Sequence, residues 1–251
     1  MSELVLVEVS DRIATITINR PEQRNALTAE TIEALSGAMR ETDQNPDVDV
    51  IILTGAGKAF CAGLDLKEMA ATGGNLDPRR GCPWPELSKP VIGAVNGPAV
   101  TGGLELALAC DFLIASTAAR FADTHTRVGL IPFWGMSVLL PEAIGIRMAR
   151  QMSLTGNFVN AQEALRIGLV NLVVEPEALI EVARRLASDI VEGDQSATKA
   201  MIAQYKAVSA AGSDGRTVER KHAETFLGGG VDAAEIERRR LALIERAKLQ
   251  A

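Results

Sequence analysis

Two apolar runs constrain this chain more than anything else in it: VIILTG, beginning at Val50, and VIGAVNG, beginning at Val91. The first, a continuous apolar run, reads as a buried strand, and the second reads as a strand as well. KAFCAGLDLKEM, after the first, passes from loop into helix, and GGLELALACD, after the second, reads as a helix opened by two glycines. Upstream, LVLVEV and IATITI are rich in β-branched residues and are parted by Ser10-Asp11-Arg12, a turn composition. Thr28 suits the cap of a helix through Ile32, Leu35 and Met39, with Glu30 near its positive end. FLIA, from Phe112, is a short strand, TRVGLIPFWG a loop, and AQEALRIGLVNLVV a helix, turn and strand. After Pro176, residues Leu179, Val182, Ala183, Leu186 and Ile190 share one helical face.

Strands alternating with helices predict an α/β core. Residues 1–180 are expected to form it, with a helical C-terminal region over 181–251. There Asp232 and Glu235 resemble a capping box for a last helix through Ile236, Leu243 and Ile244. The Gly- and Pro-rich stretch 71–89 reads as a mobile loop or lid within one domain, because a strand resumes directly after it.

Of the 251 residues, 47% are hydrophobic and 4% aromatic, so aliphatic side chains must fill the core. A formal net charge of -6 argues against general nucleic-acid affinity and requires that any anionic substrate be held by local lysines or arginines. Three cysteines without a CxxC pair fit a reducing cytoplasm. The N-terminus carries no secretion-signal pattern, and no run reaches the roughly 18 apolar residues of a membrane span. Phosphate-loop readings fail: GAGKAF has no glycine five places before Gly57 and no Ser or Thr after Lys58, and the third glycine of a dinucleotide fingerprint is missing.

The chemistry-bearing pattern is a pair of glycine junctions. CAGLDLKEM sets Gly63 before Leu64 and Asp65, and VTGGLELALACD sets Gly102 and Gly103 before Leu104 and Glu105. Each junction offers backbone N–H groups at the start of a helix. Two such donors converging on one point would stabilise an oxyanion, and removing one donor from such a hole costs on the order of 3 kcal/mol. Glu105 adds a carboxylate that the helix dipole keeps ionised while apolar neighbours raise its pKa.

INRPEQRNALT, ILTGAGKAFCAGLDLKEM, KPVIGAVNGPAVTGGLELALACD and RFADTHTRVGLIP, in that order and spacing, resemble the enoyl-CoA hydratase/isomerase family, also called the crotonase superfamily. The resemblance covers roughly residues 5 to 175 and implies a crotonase-like spiral of ββα units with a helical trimerisation region. It also implies trimers or dimers of trimers, and an acyl-CoA thioester substrate. No metal, nucleic-acid or membrane partner and no separate cofactor are expected; coenzyme A enters as part of the substrate. The oxyanion donors carry over to the amides of Leu64 and Gly102, and Glu105 takes the position of the glutamate that holds water. Contacts to CoA would come from Arg24, Ala26, Lys58, Ala62, Asp65, Leu66 and Lys67.

The chain departs from the family at one point. Where hydratases carry a second glutamate, in the loop after the next strand, RFADTHTRVG has His125. The acid–base pair would then be Glu105 and His125: the imidazole delivers a proton near neutral pH, orients water, or simply packs. Asp123, two residues earlier, is placed to hydrogen-bond it. Phe133 and Trp134 replace the small residues that commonly follow Ile-Pro here; they narrow an acyl pocket, pack at a subunit interface or fill core. The expected activity is hydration of a trans-2-enoyl-CoA. The alternatives are isomerase, hydrolase or decarboxylase chemistry on an acyl-CoA, or acyl-CoA binding without catalysis.

Overall fold

The structure, a computed structural model, describes residues 4–72 and 83–211. Most of the stretch read as a lid, the capping box at Asp232 and Glu235, and the helix expected to follow it lie outside the described residues. By contacts the chain divides into residues 1–198 and 199–251; the described part of the second is helical.

The hairpin expected at the start is present. β1 (Val5–Ser10) pairs antiparallel with β2 (Ile13–Ile18). The two residues between them, Asp11 and Arg12, have φ of 55° and 63°, the primed turn that matches strand twist. From β2 the chain crosses through α1 (Ala29–Gln44) to β3 (Val50–Gly55), which lies parallel beside β2. Thr28 caps α1 as its sequence suggests, its hydroxyl accepting from the Thr31 amide at 3.1 Å. At the other end of α1 the buried Lys89 ammonium donates to the carbonyls of Thr42 (2.9 Å) and Asn45 (2.6 Å), a cation on the negative end of the helix.

Beyond β3 come α2 (Leu66–Thr72), β4 (Val91–Val95), β5 (Ala99–Val100), α3 (Gly102–Leu108), β6 (Phe112–Ser116) and β7 (Arg120–Ala122). α4 (Met136–Ile144), α5 (Ile146–Thr155), β8 (Val159–Asn160), α6 (Ala161–Arg166), β9 (Leu172–Val174), α7 (Leu179–Val191) and α8 (Gln195–Ala211) follow. One sheet has the order β1-β2-β3-β4-β6-β9, parallel except for the first pair; a second has the order β5-β7-β8. The ββα rhythm is visible in β1-β2-α1 and in β4-β5-α3.

The two apolar runs behave as their composition requires. In β3, Ile51 and Leu53 join the core on the α1 and α3 side, while Val50 and Ile52 face the opposite side, where Leu179, Val182, Ala183 and Ala187 of α7 cover them. α7 therefore belongs with the sheet: the boundary that the sequence reading set between residues 180 and 181 falls inside this helix, and the first compact unit runs on to Thr198. α4 and α5 answer to no sequence expectation. Among the described residues no helix is long and apolar enough to cross a membrane.

Candidate active site

β4 ends and β5 begins on either side of Asn96-Gly97-Pro98, and this turn brings the chain beside the loop after β3. Asn96 knits the two together: its amide donates to the carbonyls of Gly57 (3.0 Å) and Ala59 (3.2 Å), and its oxygen accepts from the Gly55 amide at 3.2 Å. Val100 donates to the Cys61 carbonyl at 3.0 Å, so Cys61 and Ala99 form a parallel bridge. The outcome is that the Gly63–Leu64 backbone lies against the N-terminus of α3. A Cβ built on Gly102 would stand 3.7 Å from the Leu64 nitrogen, and one on Gly63 3.4 Å from the Gly102 nitrogen. Within the described residues neither the Leu64 nor the Gly102 amide donates a hydrogen bond. The two donors singled out from the sequence are thus adjacent and available.

The way Leu64 comes to be available differs from expectation. α2 starts two residues later, at Leu66, and Leu64 sits in an extended bridge with Leu27. Leu27 donates to the Gly63 carbonyl and accepts from the Asp65 amide, so the amide of Leu64, between them, points away from this pairing. It is strand alternation, not a helix terminus, that leaves this donor unpaired.

Thr101, just before Gly102, has φ 48° and ψ -115°. For a β-branched residue this is an outlier, costing about 1–3 kcal/mol. It is locked there by its amide bonding to the Ala122 carbonyl at 2.9 Å and its hydroxyl donating to the Val100 carbonyl at 2.8 Å. Thr101→Gly is expected to stabilise the chain by about 1 kcal/mol, the strain relieved less the entropy glycine adds to the unfolded state. A thermal midpoint about 2–4 °C higher would show it, and a lower midpoint would refute the strain.

Glu105 and His125 are both buried, as is Asp123. One Glu105 oxygen, Oε1, accepts from the Trp134 amide at 2.7 Å and more weakly from Met136 at 3.5 Å. The other, Oε2, faces His125 Nε2 at 3.8 Å. On its far side the imidazole places Nδ1 2.6 Å from Asp123 Oδ1. Burial raises the Glu105 carboxyl above its ordinary value, against the Trp134 hydrogen bond and the attraction of His125. Burial pushes Asp123 upward too, but hydrogen bonds from His125 and Ser153 outweigh it and hold the carboxyl below its ordinary value. A cavity of about 60 Å³ is lined by His125, Thr101 and Leu64 among others. Burial drives the Cys61 thiol up to about 12, which leaves it a small apolar group, as its neighbourhood in the sequence indicates.

Trp134 answers one of the alternatives left open by the sequence. Its indole is buried, and its Cζ3 would lie 3.5 Å from a Cβ on Gly102. It fills core beside the N-terminus of α3, with Phe133 set edge-on at a ring separation of 5.4 Å.

These parts sit on a chain whose relatives can be named. A sequence model described as enoyl-CoA hydratase/isomerase matches residues 8–248. The chain belongs to that family. A probable peroxisomal enoyl-CoA hydratase of Arabidopsis thaliana is 41% identical over 221 residues, 86% of this chain and 81% of the relative. The (E)-benzylidenesuccinyl-CoA hydratase of Thauera aromatica is 44% identical over 194 residues, 74% of this chain and 75% of the relative. The solved enoyl-CoA hydratase of Mycobacterium tuberculosis H37Rv is 49% identical and superposes with a TM-score of 0.78, covering 89% of this chain and 98% of that one. The α/β spiral expected from the resemblance is the fold these family members share.

In this member of the family the residues expected at CoA fall on two loops that touch. Arg24, Ala26, Ala62, Leu64 and Asp65 line the extended pairing between residues 24–27 and 62–65, with Ala62 donating to the Arg24 carbonyl at 3.0 Å. Lys58 belongs to the neighbouring loop, and Leu66 and Lys67 open α2. The Arg24, Lys58, Leu66 and Lys67 side chains are exposed. Asp65 is otherwise engaged: its carboxylate caps α2 through the Lys67 and Glu68 amides and pairs with Arg20 at 3.2 Å. The residue that organises these loops, Asn25, was not recognised in the sequence. Fully buried at φ 58°, it accepts from the Arg20 amide and donates to the Ala56 and Ala59 carbonyls. The NA of INRPEQRNALT is the only sign of it. Among the described residues no cluster of three or more His, Cys, Asp or Glu could hold a metal ion.

Proposed function

We propose that the chain is an enoyl-CoA hydratase in which Glu105 and His125 form the acid–base pair. The single observation that carries this reading is the facing of Glu105 Oε2 and His125 Nε2 at 3.8 Å beside the two unpaired amides. That separation is too long for a direct hydrogen bond and suits one bridging water.

The thioester oxygen of a trans-2-enoyl-CoA would accept from the Leu64 and Gly102 amides, which stabilise the enolate that forms as C3 is attacked. Glu105, as carboxylate, takes a proton from water while the hydroxyl adds to C3. His125, as imidazolium, gives its Nε2 proton to C2. Hydrogen and hydroxyl are thereby added across the double bond to give a 3-hydroxyacyl-CoA. The proton now on Glu105 returns to His125 through the next water to enter the gap, restoring the starting state. Coenzyme A arrives with the substrate, and no separate cofactor is called for. Exposed Arg24, Lys58 and Lys67 are the cations suited to its phosphates, against an overall charge of -6. Large apolar side chains exposed along one segment, including Ile131, Leu154 and Phe158, suit burial between subunits of a trimer or a dimer of trimers. Buried reduced thiols at Cys61 and Cys110 suit a cytoplasmic location.

The test is hydration of enoyl-CoA esters of increasing chain length, crotonyl-CoA first, followed by loss of the enoyl absorbance. Turnover with at least one ester is expected. Binding of esters across the panel without any turnover would reject the reading, and conversion of a 3-enoyl-CoA alone would replace it with isomerisation.

A further inference from the structure

We infer that Asp123 is a positioning residue that holds the His125 ring in the Nδ1–H tautomer, so that Nε2 is the atom whose proton comes and goes. The inference deepens, and rests on, the reading of His125 as a proton carrier.

The geometry leaves the ring little choice. Asp123 Oδ1 lies 2.6 Å from Nδ1 and also accepts the backbone N–H of His125 at 3.2 Å, closing a tight turn directly after β7. An ionised carboxylate has no hydrogen to give, so the hydrogen in the short contact belongs to Nδ1. Asp123 is held ionised because the hydrogen bonds from His125 and Ser153 prevail over its burial. With Nδ1 committed, Nε2 carries a lone pair when the ring is neutral and a proton when it is charged. In either state the exchangeable position is the one facing Glu105 at 3.8 Å. Were the ring free to choose, its neutral form could carry the hydrogen on Nε2, turning an N–H toward Glu105 with no site ready to receive the returning proton.

The positively charged ring would also lie between two carboxylates, Asp123 from the turn after β7 and Glu105 from α3. A carboxylate orienting an imidazole in this way lets the ring accept a proton without turning. The glutamate expected from the resemblance needs no such partner, because its two oxygens are equivalent. A histidine in that place does, and Asp123 sits two residues away, where the local turn brings it into contact.

The tautomer can be read without substrate. The chain has two histidines, His125 and His222, so 15N NMR of the full-length His222→Asn protein reports a single ring. A protonated Nδ1 and an unprotonated Nε2 are expected in the neutral state; the opposite tautomer, or a mixture, would overturn the inference. Asp123→Asn introduces an amide that donates as well as accepts. It is expected to populate the other tautomer and lower kcat by about 100-fold. KM should stay within about threefold, since substrate binding does not use this contact. Asp123→Glu, which keeps the carboxylate, should restore the tautomer and part of the rate. A folded Asp123→Asn protein with kcat within about threefold of the wild type would sink the positioning role. Should Asp123→Asn fail to fold, the wild-type spectrum still decides the tautomer. Should no enoyl-CoA be hydrated, the proposed function falls while the spectrum still stands as the measure of what Asp123 does.

Discussion

Glu105→Gln is expected to lower kcat for enoyl-CoA hydration by about 10²–10⁴-fold, the range for losing a general base. The substitution is nearly isosteric. The Gln carbonyl oxygen can keep the 2.7 Å bond from the Trp134 amide, so the helix and the 133–136 segment need not move. What disappears is the acceptor facing His125 and any capacity to take a proton from water. Two further outcomes separate this from a packing defect. Because burial raises the Glu105 carboxyl, the acid limb of the wild-type kcat/KM profile should lie above the ordinary glutamate range. The variant should lack that limb. Stability should move in the other direction. A carboxyl whose folded-state pKa is raised binds more protons in the native state than in the unfolded one, so wild-type stability falls as pH rises through that window. The variant has no such loss, and its thermal midpoint at neutral pH should equal or exceed that of the wild type. A variant that is both folded and fully active would remove Glu105 from the chemistry.

The sequence made the sheet legible because burial on both faces leaves a mark in composition. VIILTG reads as a buried strand and VIGAVNG as a strand, and the apolar stripe of α7 showed Leu179, Val182 and Ala183 of its buried face but not Ala187. α4 and α5 were not legible. Gly135 and Gly145 bracket α4 and Pro141 lies inside it, so good helix formers and helix breakers compete in that stretch; α4 packs on α3 and on α5. The site was legible to the extent that it is made of backbone. Glycines that let two loops approach are visible as glycines, and a first-turn glutamate is visible from its place in the helix. What joins Glu105 to the Trp134 amide spans 29 residues, and no spacing rule reaches that far. The strain at Thr101 is likewise hidden, because threonine in sequence carries no warning of a positive φ. His125 stood out as a departure, whereas its partner Asp123 mattered only once the turn between them had a geometry.

The adjacent glycines of α3 should respond to the same substitution in opposite ways, and this contrast tests the oxyanion donors more sharply than removal of either. At Gly103 a Cβ would be driven into the Cys61 carbonyl oxygen and lie 2.7 Å from the carbonyl carbon, both main-chain atoms of the Cys61–Ala99 bridge. Neither can swing aside as a side chain would, so Gly103→Ala must part the two segments, at a cost of about 1–3 kcal/mol or more. A lower thermal midpoint and impaired activity should appear together. At Gly102 the same atom meets only Trp134 Cζ3 at 3.5 Å, the Gly63 Cα at 3.7 Å and the Leu64 nitrogen at 3.7 Å. These are ordinary contacts, and alanine favours the helix by up to about 1 kcal/mol over glycine, so Gly102→Ala should fold as well as the wild type. Its methyl, however, crowds the space between the two amides, where the thioester oxygen has to sit. Interference with one donor of such a pair is worth about 3 kcal/mol, which is roughly 100-fold in kcat/KM. Thermal melts and steady-state kinetics on the two variants decide the matter. If Gly102→Ala is stable and fully active, the thioester oxygen does not bind between Leu64 and Gly102, and the reaction must be centred elsewhere.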